Sequence, residues 1–451
     1  MDYNNKDVII ARATPVGKSA LAIIRLSGLS LKNVLAKVFI KKTFQPNMVQ
    51  LRKIKEIKSK TTIDSCMVVF YKAPKSFTGE DMLEIFCHGN DRIVNKIISE
   101  FFHCNVRIAY PGEFSYRAFK NGKIDLMQAE SIAEKINQNS EQYGVALQNI
   151  EDGNTSKKIT ALRESVLNIQ SVIEHELDFN EEEVTHITYK NIADKFKKII
   201  KEIKIILHVS LYLQKIEGGY NVVFIGVPNA GKSTLFNKLI GTDKAIVTNI
   251  KGTTRDALEA NINIKGIPIT LYDTAGYRNT KNKIESLGVL KTKSVAKNSD
   301  IIIMIDEKDP VRVHRTLLTE VDILKNKKTI FVKSKSDNVK QKNNKGNIIN
   351  LSCKNDIGIN ALLTKLLTII SQDYEKVGAS NVALCNMRQI SLLEEISLLF
   401  NEMLSALNKS VEMDILASQL KSASDLFDEL LGKLTPSDVL NNIFKGFCVG
   451  K

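Results

Sequence analysis

The spacing of apolar residues divides the chain into regions of different character. From Val8 to about Lys120, short apolar runs alternate with glycine and proline, a pattern typical of an α/β or α+β domain. From Ile124 to about Gln214 there is no proline, and apolar residues recur at helical spacing. We therefore predict long helices there, and the helical character returns between about Lys376 and Phe447.

Between the two helical regions the pattern changes to short runs of β-branched and other apolar residues. Segments of helix length separate these runs, and strands that alternate with helices form a parallel sheet of βαβ units. Five strands are predicted: Asn221 to Ile225, Ile267 to Tyr272, Ile301 to Ile305, Thr329 to Val332 and Ile348 to Leu351. A helical region that is interrupted by an α/β domain and then continues is most simply one helical domain with an insertion.

The length and the charge of the chain bear on its partners. With 451 residues it is about three times as long as a typical domain of roughly 150 residues, so we expect several domains. Lys and Arg number 64 against 50 Asp and Glu, a formal net charge of +14, which suits a polyanionic partner. Most of these cations are lysines beside abundant Asn and Ile, as genomic base composition also produces, so charge alone leaves nucleic acid open.

Cysteine spacing and the N-terminal residues indicate the compartment. The six cysteines lack the paired spacing of a disulfide framework or a zinc site, so a reducing compartment is expected. Met1 to Asp7 carries acids and lacks the apolar run of a signal peptide. Apolar runs elsewhere are shorter than the roughly 20 residues that span a bilayer. The sequence predicts a cytoplasmic protein with no membrane segment.

One motif indicates a nucleotide site. Gly226 to Ser233 matches G-x-x-x-x-G-K-[ST], after a predicted strand and before a helix-like segment. Its glycines let backbone N–H groups approach phosphates, Lys232 neutralises the β- and γ-phosphate oxygens, and Ser233 can ligate magnesium. The predicted nucleotide contacts are Asn229, Ala230, Gly231, Lys232, Ser233 and Thr234.

Two later segments have the order and spacing of nucleotide-sensing switches. Asp273 ends a predicted strand, where its carboxylate can approach the metal through water, and the N–H of Gly276 can meet the γ-phosphate. Upstream, Thr254 could complete the magnesium shell. The predicted nucleotide contacts in these segments are Thr248, Asn249, Ile250, Lys251, Gly252, Thr253, Thr254, Asp273, Thr274, Ala275 and Gly276.

A third segment bears on the choice of base. Guanine selection usually rests on Asn-Lys-x-Asp after a strand, whereas this chain has Ser334, Lys335, Ser336 and Asp337. Serine is shorter than asparagine and loses part of the hydrogen bonding that braces the loop. We expect guanine to be bound, more loosely, with Ser352, Cys353 and Lys354 in the second base-contact position; the alternative is that the base is no longer selected.

The residue that orients the attacking water is not the usual one. Tyr277 follows Gly276 where Ras-like proteins place a glutamine. Glu285, on the segment after the switch, is a carboxylate that could position water directly or through another water. Taken alone, Glu285 is more simply interpreted as an ordinary solvated charge.

Further motifs lie outside the nucleotide site. They are Ala13-Thr14-Pro15 with Arg25-Leu26-Ser27-Gly28, Ser76 to Asp81 with Glu84 and His88-Gly89, Arg107 with Pro111 to Phe114 and later residues as far as Glu130, and finally Ile443 to Lys451. Because these separated motifs occur in the same order, the sequence resembles the MnmE (TrmE) family of tRNA-modification GTPases nearly from end to end.

The resemblance implies a multidomain fold of α/β and α type. It implies an N-terminal α/β tetrahydrofolate-binding and dimerisation domain at 1–120, a discontinuous helical domain at 121–215 and 377–451, and an inserted P-loop, Ras-like G domain at 216–376. It also implies a homodimer, a heterotetramer with the FAD-containing partner MnmG, and tRNA as the macromolecule that is modified. The modification would be an aminomethyl or carboxymethylaminomethyl group at C5 of the wobble uridine, position 34.

The resemblance further implies roles for individual residues. A tetrahydrofolate derivative, 5-formyl- or methylene-tetrahydrofolate, would contact Arg25, Glu84, Lys123 and Lys451. Magnesium would be held by Ser233 and Thr254, whereas potassium, in place of an arginine finger, would be held by Asn229, Thr248, Ile250 and Thr253. The catalytic residues would be Glu285, as the carboxylate for GTP hydrolysis, and Cys448 near the C-terminus, in a nucleophilic or redox role; a small buried residue is the alternative for Cys448.

One other function fits part of the sequence. A GTP-switched RNA-binding or ribosome-assembly factor would use the nucleotide motifs and the positive charge equally well. Such a factor has no use for the N-terminal motifs or for the tail from Cys448 to Lys451, and these features favour the tRNA-modification enzyme.

Overall fold

The computed structural model describes residues 7–178, 189–241, 258–273, 297–320, 327–338, 348–375, 382–407 and 413–450. The chain forms two compact units. The first comprises Met1–Asn137, Leu147–Ile200 and Asn386–Lys451, and the second comprises Gln138–Ala146 and Lys201–Cys385. The first unit thus contains chain segments from both sides of the second, as expected for an insertion, while the three domain boundaries, after residues 120, 215 and 376, remain predictions.

A six-stranded mixed sheet forms the N-terminal part of the first unit. Its order is β3-β4-β5-β2-β1-β6, and every neighbouring pair is antiparallel except β1 and β6. The strands are β1 (Val8–Arg12), β2 (Ser19–Gly28), β3 (Val49–Lys55), β4 (Thr62–Tyr71), β5 (Asp81–Gly89) and β6 (Val106–Ile108). Helices α1 (Lys32–Val38) and α2 (Asp91–Phe102) contribute to the core cluster through Val34, Leu35, Ile97 and Phe101. The short apolar runs predicted an α/β or α+β domain between Val8 and about Lys120, and this mixed sheet with its helices has that architecture.

The remaining helices of the first unit come from distant parts of the chain. They include α3 (Glu113–Lys120), α4 (Leu126–Asn137), α6 (Asn154–Asp178), α11 (Met387–Leu407), α12 (Met413–Leu431) and α13 (Ser437–Lys445). Helix α12 packs against α6, where Arg163 Nη2 and Asp428 Oδ2 lie 2.6 Å apart. Arg388 at the start of α11 pairs with buried Glu130 on α4 at 2.8 Å. The two helical stretches of the sequence therefore fold together, as predicted.

Two helices belong to both units. The division falls within α5 (Glu141–Glu151) and within α7 (Tyr189–Gly218). In the second unit, the first turn of α5 is tied to neighbouring segments because Tyr143 Oη donates to the carbonyl oxygen of Cys385. Glu217, near the end of α7, accepts hydrogen bonds from the backbone N–H groups of Asn139 and Ser140 at 2.6 and 3.1 Å.

The second unit contains another six-stranded sheet, in the order β12-β11-β10-β7-β9-β8. Its strands are β7 (Tyr220–Gly226), β8 (Leu258–Ile264), β9 (Ile267–Asp273), β10 (Ile301–Asp306), β11 (Lys328–Lys333) and β12 (Ile348–Asn350). The five predicted strands are present and pair with one another in parallel. Every residue of β10 is buried, as expected for a central parallel strand that is covered on both faces.

The sixth strand, β8, was not predicted. It pairs antiparallel with β9. Lys265 and Gly266, the two residues between these strands, have φ values of 51° and 79°, the left-handed conformation that a tight hairpin turn requires. Glycine adopts this conformation readily, so the turn allows the chain to reverse and to add a strand at the edge of the parallel sheet.

Helices α8 (Lys232–Ile240), α9 (Pro310–Glu320) and α10 (Ile359–Glu375) connect or follow the strands of the second unit. Within the described ranges, no helix has both the length and the apolar character needed to cross a membrane. All six cysteines of the chain are free thiols, as their scattered spacing predicts.

Candidate functional site

The phosphate loop joins the carboxyl end of β7 to the first turn of α8. Gly226 lies so close to β10 that a Cβ at this position would overlap the carbonyl oxygen of Ile305. Asn229 and Gly231 have φ values of 63° and 89°, so the loop turns sharply before the helix begins at Lys232. Helix N-termini present unsatisfied N–H groups and the positive end of the helix dipole, which together favour phosphate binding.

Lys232 is held inside this loop. Its side chain is buried, and Nζ donates to the carbonyl oxygens of Gly226 and Val227, each at 2.8 Å. These contacts place the ammonium group across the concave side of the loop. A cation in that position can offset the charge of bound phosphates.

Two acidic residues end the strands on either side of β7. Asp273 is the last residue of β9, pairs in register with Phe224 and is 1% exposed. Asp306 is the last residue of β10, and its carboxylate accepts hydrogen bonds from the backbone N–H groups of Lys308 and Asp309. The carboxyl ends of parallel strands lie at one edge of a sheet, where ligands of open α/β folds bind.

The segment predicted to select the base follows β11 at the same edge. The N–H of Ser334 donates to the carbonyl oxygen of Asp306 at 2.9 Å, which attaches this segment to the end of β10. Ser352 Oγ donates to Asp337 Oδ1 at 3.0 Å, so the two predicted base-contact positions meet. Burial raises the pKa of the neighbouring Cys353 thiol, which favours its neutral form.

Ser334 itself makes no side-chain hydrogen bond within the described part of the chain. Its hydroxyl is buried, and Oγ lacks a partner there. Its Cβ lies 3.9 Å from the place that a Cβ on Gly231 would occupy, so this residue faces the phosphate loop. Within the described residues, the Ser334 hydroxyl therefore forms no hydrogen bond that would brace the loop.

Lys335 has a contact that the sequence did not reveal. Its ammonium group pairs with the carboxylate of Glu307, which directly follows β10. Lys335 also has a φ value of 54°, which turns the chain between Ser334 and the single 3-10 turn at Ser336–Asn338. The position of Glu307, one residue beyond a strand end, is the signal that could have identified this pair.

Several predicted nucleotide contacts lie outside the described residues. They are Thr248, Asn249, Ile250, Lys251, Gly252, Thr253, Thr254, Thr274, Ala275, Gly276 and the proposed catalytic Glu285. The described residues among the predicted contacts lie on the phosphate loop, at the end of β9 and on the segments after β11 and β12. Among all described residues, no cluster of three His, Cys, Asp or Glu side chains forms a metal site.

A second polar site lies in the first unit. Arg25 on β2 and Glu84 on β5 are paired in register, and Arg25 Nε donates to Glu84 Oε1 at 2.7 Å. Arg25 Nη1 also donates to the carbonyl oxygen of Gly450 at 3.2 Å. Two predicted folate contacts and the C-terminal tail therefore meet at one place.

The tail is fixed there by backbone contacts as well. The N–H of Gly112 donates to the carbonyl oxygen of Cys448 at 3.4 Å, while the Cys448 residue is exposed. Gly450 has a φ value of 95°, and a Cβ at that position would lie 2.5 Å from the carbonyl oxygen of Arg12. Exposure contradicts the alternative of a small buried residue for Cys448.

The other predicted folate contacts are placed differently. Lys123 Nζ donates to the carbonyl oxygen of Pro74 at 3.2 Å, on the loop that joins β4 and β5. Its Cγ lies 3.2 Å from the place that a Cβ on Gly79 would occupy, so the lysine stem covers this loop. Lys451 lies outside the described residues.

Two residues near the site were missed by the sequence analysis. Burial raises the pKa of the Tyr71 phenol, the Glu84 carboxylate raises it further, and Arg25 acts in the opposite direction. Tyr71 thus lies close enough to the Arg25–Glu84 pair to be affected by both charges. Its place at the end of β4, beside the strand that carries Glu84, was the available signal.

The other residue is Arg117, which fixes the loop between β4 and β5, a role that the sequence did not reveal. Its guanidinium is fully buried, with Nη1 3.0 Å from Glu80 Oε2 and Nη2 3.0 Å from Glu113 Oε1. Glu80 in turn accepts a hydrogen bond from Ser27 Oγ at 2.8 Å. A buried charge pair this well bonded holds its segments in one arrangement.

Two family models match successive parts of this chain. The family model "GTP-binding protein TrmE N-terminus" matches residues 8–123, and the model "MnmE helical domain" matches residues 126–448. The tRNA modification GTPase MnmE of Aquifex aeolicus is 34% identical over 99% of this chain and 100% of its own length. The protein of the same name from Cytophaga hutchinsonii is 36% identical over 99% of this chain and 98% of its own length.

A further relative and one solved structure complete the comparison. The tRNA modification GTPase MnmE of Fervidobacterium nodosum is 35% identical over 100% of this chain and 99% of its own length. The G domain of the T. maritima FeoB iron transporter is 28% identical and covers 33% of this chain and 97% of that chain, with a TM-score of 0.24. A score this low carries no weight beside the matches over the whole chain.

Proposed function

This chain belongs to the MnmE family of tRNA modification GTPases and is thus a GTP hydrolase that acts in tRNA modification; on that premise we propose its reaction. With an FAD-containing partner of the MnmG type, it installs an aminomethyl or carboxymethylaminomethyl group at C5 of the wobble uridine. A tetrahydrofolate derivative supplies the one-carbon unit. The observation that carries the proposal is the contact of Arg25 with both Glu84 and the Gly450 carbonyl, in a chain that also has the phosphate loop.

In the nucleotide site, the proposed division of labour follows the chemistry of each group. Lys232 and the N–H groups of the phosphate loop hold the phosphates, while Asp337 and Ser352 hold guanine. The described residues fit magnesium, because Ser233 and Asp273 offer the oxygen donors that this ion requires. Ser233 and Thr254 would hold Mg2+, which when bound offsets the charge of the β- and γ-phosphate oxygens.

Potassium and Glu285 are proposed to assist hydrolysis. The potassium ligands are Asn229, Thr248, Ile250 and Thr253, of which Asn229 is exposed on the phosphate loop. A fixed monovalent cation there would offset negative charge that develops in the transition state. Glu285 would position the attacking water.

In the folate site, the charged groups are matched to the chemistry of the ligand. Glu84 accepts hydrogen bonds from the aminopyrimidine edge, Arg25 beside it holds this carboxylate in place, and Lys123 and Lys451 attract the glutamate tail. The tail between Cys448 and Lys451 completes the site. Its exposed Cys448 thiol is proposed to act in nucleophilic or redox chemistry next to the bound folate.

We propose a homodimer that forms through the N-terminal domain. Val49 and Leu51 on the edge strand β3 are 66% and 68% exposed. Met67, the residue of β4 that is paired with Leu51, is 45% exposed. An apolar patch on an edge strand is a typical interface between copies of a chain. A heterotetramer would then consist of this dimer and two copies of the MnmG-type partner.

Deleting the gene and measuring the tRNA by mass spectrometry tests the reaction. We expect loss of the C5 modification at the wobble uridine and its return with the wild-type gene. An unchanged modification would reject the proposed reaction. Co-sedimentation with ribosomal particles, together with failure to bind 5-formyl-tetrahydrofolate, would instead favour the assembly factor.

A further inference from the structure

We propose that one exposed face of α7 is a docking surface for the phosphate backbone of tRNA. This inference rests on the proposed function, because tRNA is the RNA that the enzyme would modify. It adds a place on the chain where that RNA is held, apart from the nucleotide and folate sites. The surface is called the lysine row, and it consists of Lys201, Lys204, His208 and Lys215, all in the second unit.

The lysine row follows from the periodicity of one uninterrupted helix. Its members are three, four or seven residues apart, which places them along a single side of an α-helix. All four are exposed. Between Lys201 and Lys215 the row extends for roughly 21 Å at 1.5 Å per residue.

The opposite side of α7 is packed against the protein. In the second unit its buried side chains are Ile203, Ile206, Val209 and Ile216. This burial fixes the rotation of the helix about its axis. The lysines are therefore held on the solvent side rather than being free to turn inward.

Helix α7 carries a net positive charge. Helix α7 contains seven lysines and only three acids, Asp194, Glu202 and Glu217. Within the row, Lys215 pairs with Asp300 at 2.8 Å. A pair at the surface contributes little energy, so a phosphate can compete for this lysine.

The composition of the row favours RNA over a protein partner. Protein interfaces are depleted in lysine and enriched in aromatic residues, methionine and arginine. The row has none of the enriched residue types, and Leu211, 42% exposed, is the apolar residue on the same side of the helix. A lysine ammonium is a point charge on a flexible stem, which suits a phosphate whose orientation varies.

The same observations disfavour a membrane surface. An interfacial helix buries an apolar face in the bilayer beside its basic face. The apolar face of α7 is already buried within the protein. RNA requires only the exposed lysines, because neutralising phosphates releases counterions and supplies the binding free energy.

The salt dependence of tRNA binding by the full chain tests the lysine row. The variant is Lys201→Gln with Lys204→Gln and Lys215→Gln, and the matched control is Lys32→Gln with Lys37→Gln and Lys41→Gln, three exposed lysines of the N-terminal domain. The probe is an unmodified tRNA transcript, titrated by fluorescence anisotropy at several salt concentrations. GTP hydrolysis and circular dichroism report on folding, and wobble modification with the partner protein reports on the reaction.

We expect the row variant to bind tRNA about tenfold or more weakly, with a salt slope shallower by about two to three, because each lost phosphate contact removes about 0.7 to 0.9 from the slope. The control should bind as the wild type does, and both variants should keep normal GTP hydrolysis. A row variant with wild-type slope and affinity would overturn the proposal, and so would an equal loss in the control.

Other outcomes separate the alternatives. If the row variant keeps its tRNA affinity but loses modification in the presence of the partner protein, the row contacts protein. If it keeps tRNA affinity but loses binding to phosphatidylglycerol vesicles that the wild type shows, the row contacts lipid. Either result overturns tRNA docking, whereas a wild type that neither binds tRNA nor supports modification would reject the proposed function together with the row.

Discussion

Arg25 and Glu84 face each other on adjacent antiparallel strands, with Nε and Oε1 2.7 Å apart, and the same arginine reaches the carbonyl oxygen of Gly450. Their side chains are 27% and 15% exposed, so the pair is largely shielded but open on one side. The pair therefore has two roles: Arg25 holds the C-terminal tail, and the open side of the pair can contact a ligand. Changes that remove the charge of one partner should therefore affect ligand binding more than they affect folding.

The first prediction concerns the carboxylate of this pair. Glu84→Gln keeps the size of the side chain but removes the charged acceptor, so we expect 5-formyl-tetrahydrofolate to bind at least about tenfold more weakly, since hydrogen bonds to charged groups contribute about 1.5–3 kcal/mol. Isothermal titration calorimetry measures this affinity. Glu56→Gln, which changes a half-buried carboxylate of the same domain that also pairs with a cation, Lys96, is the control. Equal folate affinity in Glu84→Gln and wild type would exclude Glu84 from the ligand site.

The second prediction uses the unpartnered hydroxyl of Ser334. Asparagine at this position can reach toward the phosphate loop, so we expect Ser334→Asn to tighten GDP and GTP binding by about two- to tenfold, as one added hydrogen bond of about 0.5–1.5 kcal/mol implies. Ser334→Ala is the control, because a hydroxyl without a partner can be lost at little cost. Titration with a fluorescent guanine nucleotide measures both. Unaltered affinity in Ser334→Asn would show that the loop needs no brace here.

The third prediction concerns hydrolysis. Glu285→Ala should leave GTP binding nearly intact and slow turnover by roughly tenfold or more, because positioned acid–base groups typically contribute at least that much. Ser286→Ala, the adjacent position, is the control. Phosphate release is measured at saturating potassium. Turnover at the wild-type rate under that condition would reject Glu285 as the catalytic carboxylate.

The sequence alone predicted the parts of the fold that depend on local pattern. Strands β7, β9, β10, β11 and β12 were found because parallel strands buried on both faces appear as continuous apolar runs. Strand β8 was missed because its apolar and polar residues alternate, and its pairing depends on the turn at Lys265 and Gly266. A two-residue turn that ends in glycine, between two alternating segments, is a hairpin signal that could have predicted this strand.

The candidate sites show a similar limit. The motif spacing identified Lys232 and Asp337 because a phosphate loop and a base loop are contiguous in sequence. Glu307 and Tyr71 were not identified, because each meets its partner across neighbouring strands and has no motif of its own. Arg117 was noted only as part of a family motif; that it is fully buried between Glu80 and Glu113 required the three-dimensional arrangement.

The last prediction concerns pH and the carboxylate of Asp64. Its Oδ2 accepts a hydrogen bond from the N–H of His88 at 3.0 Å, and its Oδ1 lies 2.8 Å from His88 Nδ1 and accepts from the N–H of Ser65 at 2.8 Å. Burial alone would raise the pKa of Asp64. The contacts with His88 and Ser65 outweigh burial and hold the pKa below its usual value of 3.8.

A carboxyl group whose pKa is lowered by folding stabilises the folded state above the pKa of the unfolded chain, and this stability is lost as the pH falls through the lower, folded pKa. We expect Asp64→Asn to reduce the free energy of unfolding at pH 7 by about 1–3 kcal/mol, the usual cost of losing hydrogen bonds to a charged acceptor. Between about pH 5 and 3 the wild type should lose stability faster than the variant, so that the two curves converge. Urea unfolding at pH 7, 5, 4 and 3 measures the effect, with Asp152→Asn, at an exposed position of α6's preceding turn, as the control. Parallel curves for Asp64→Asn and wild type would show that the contacts with His88 do not favour the charged form.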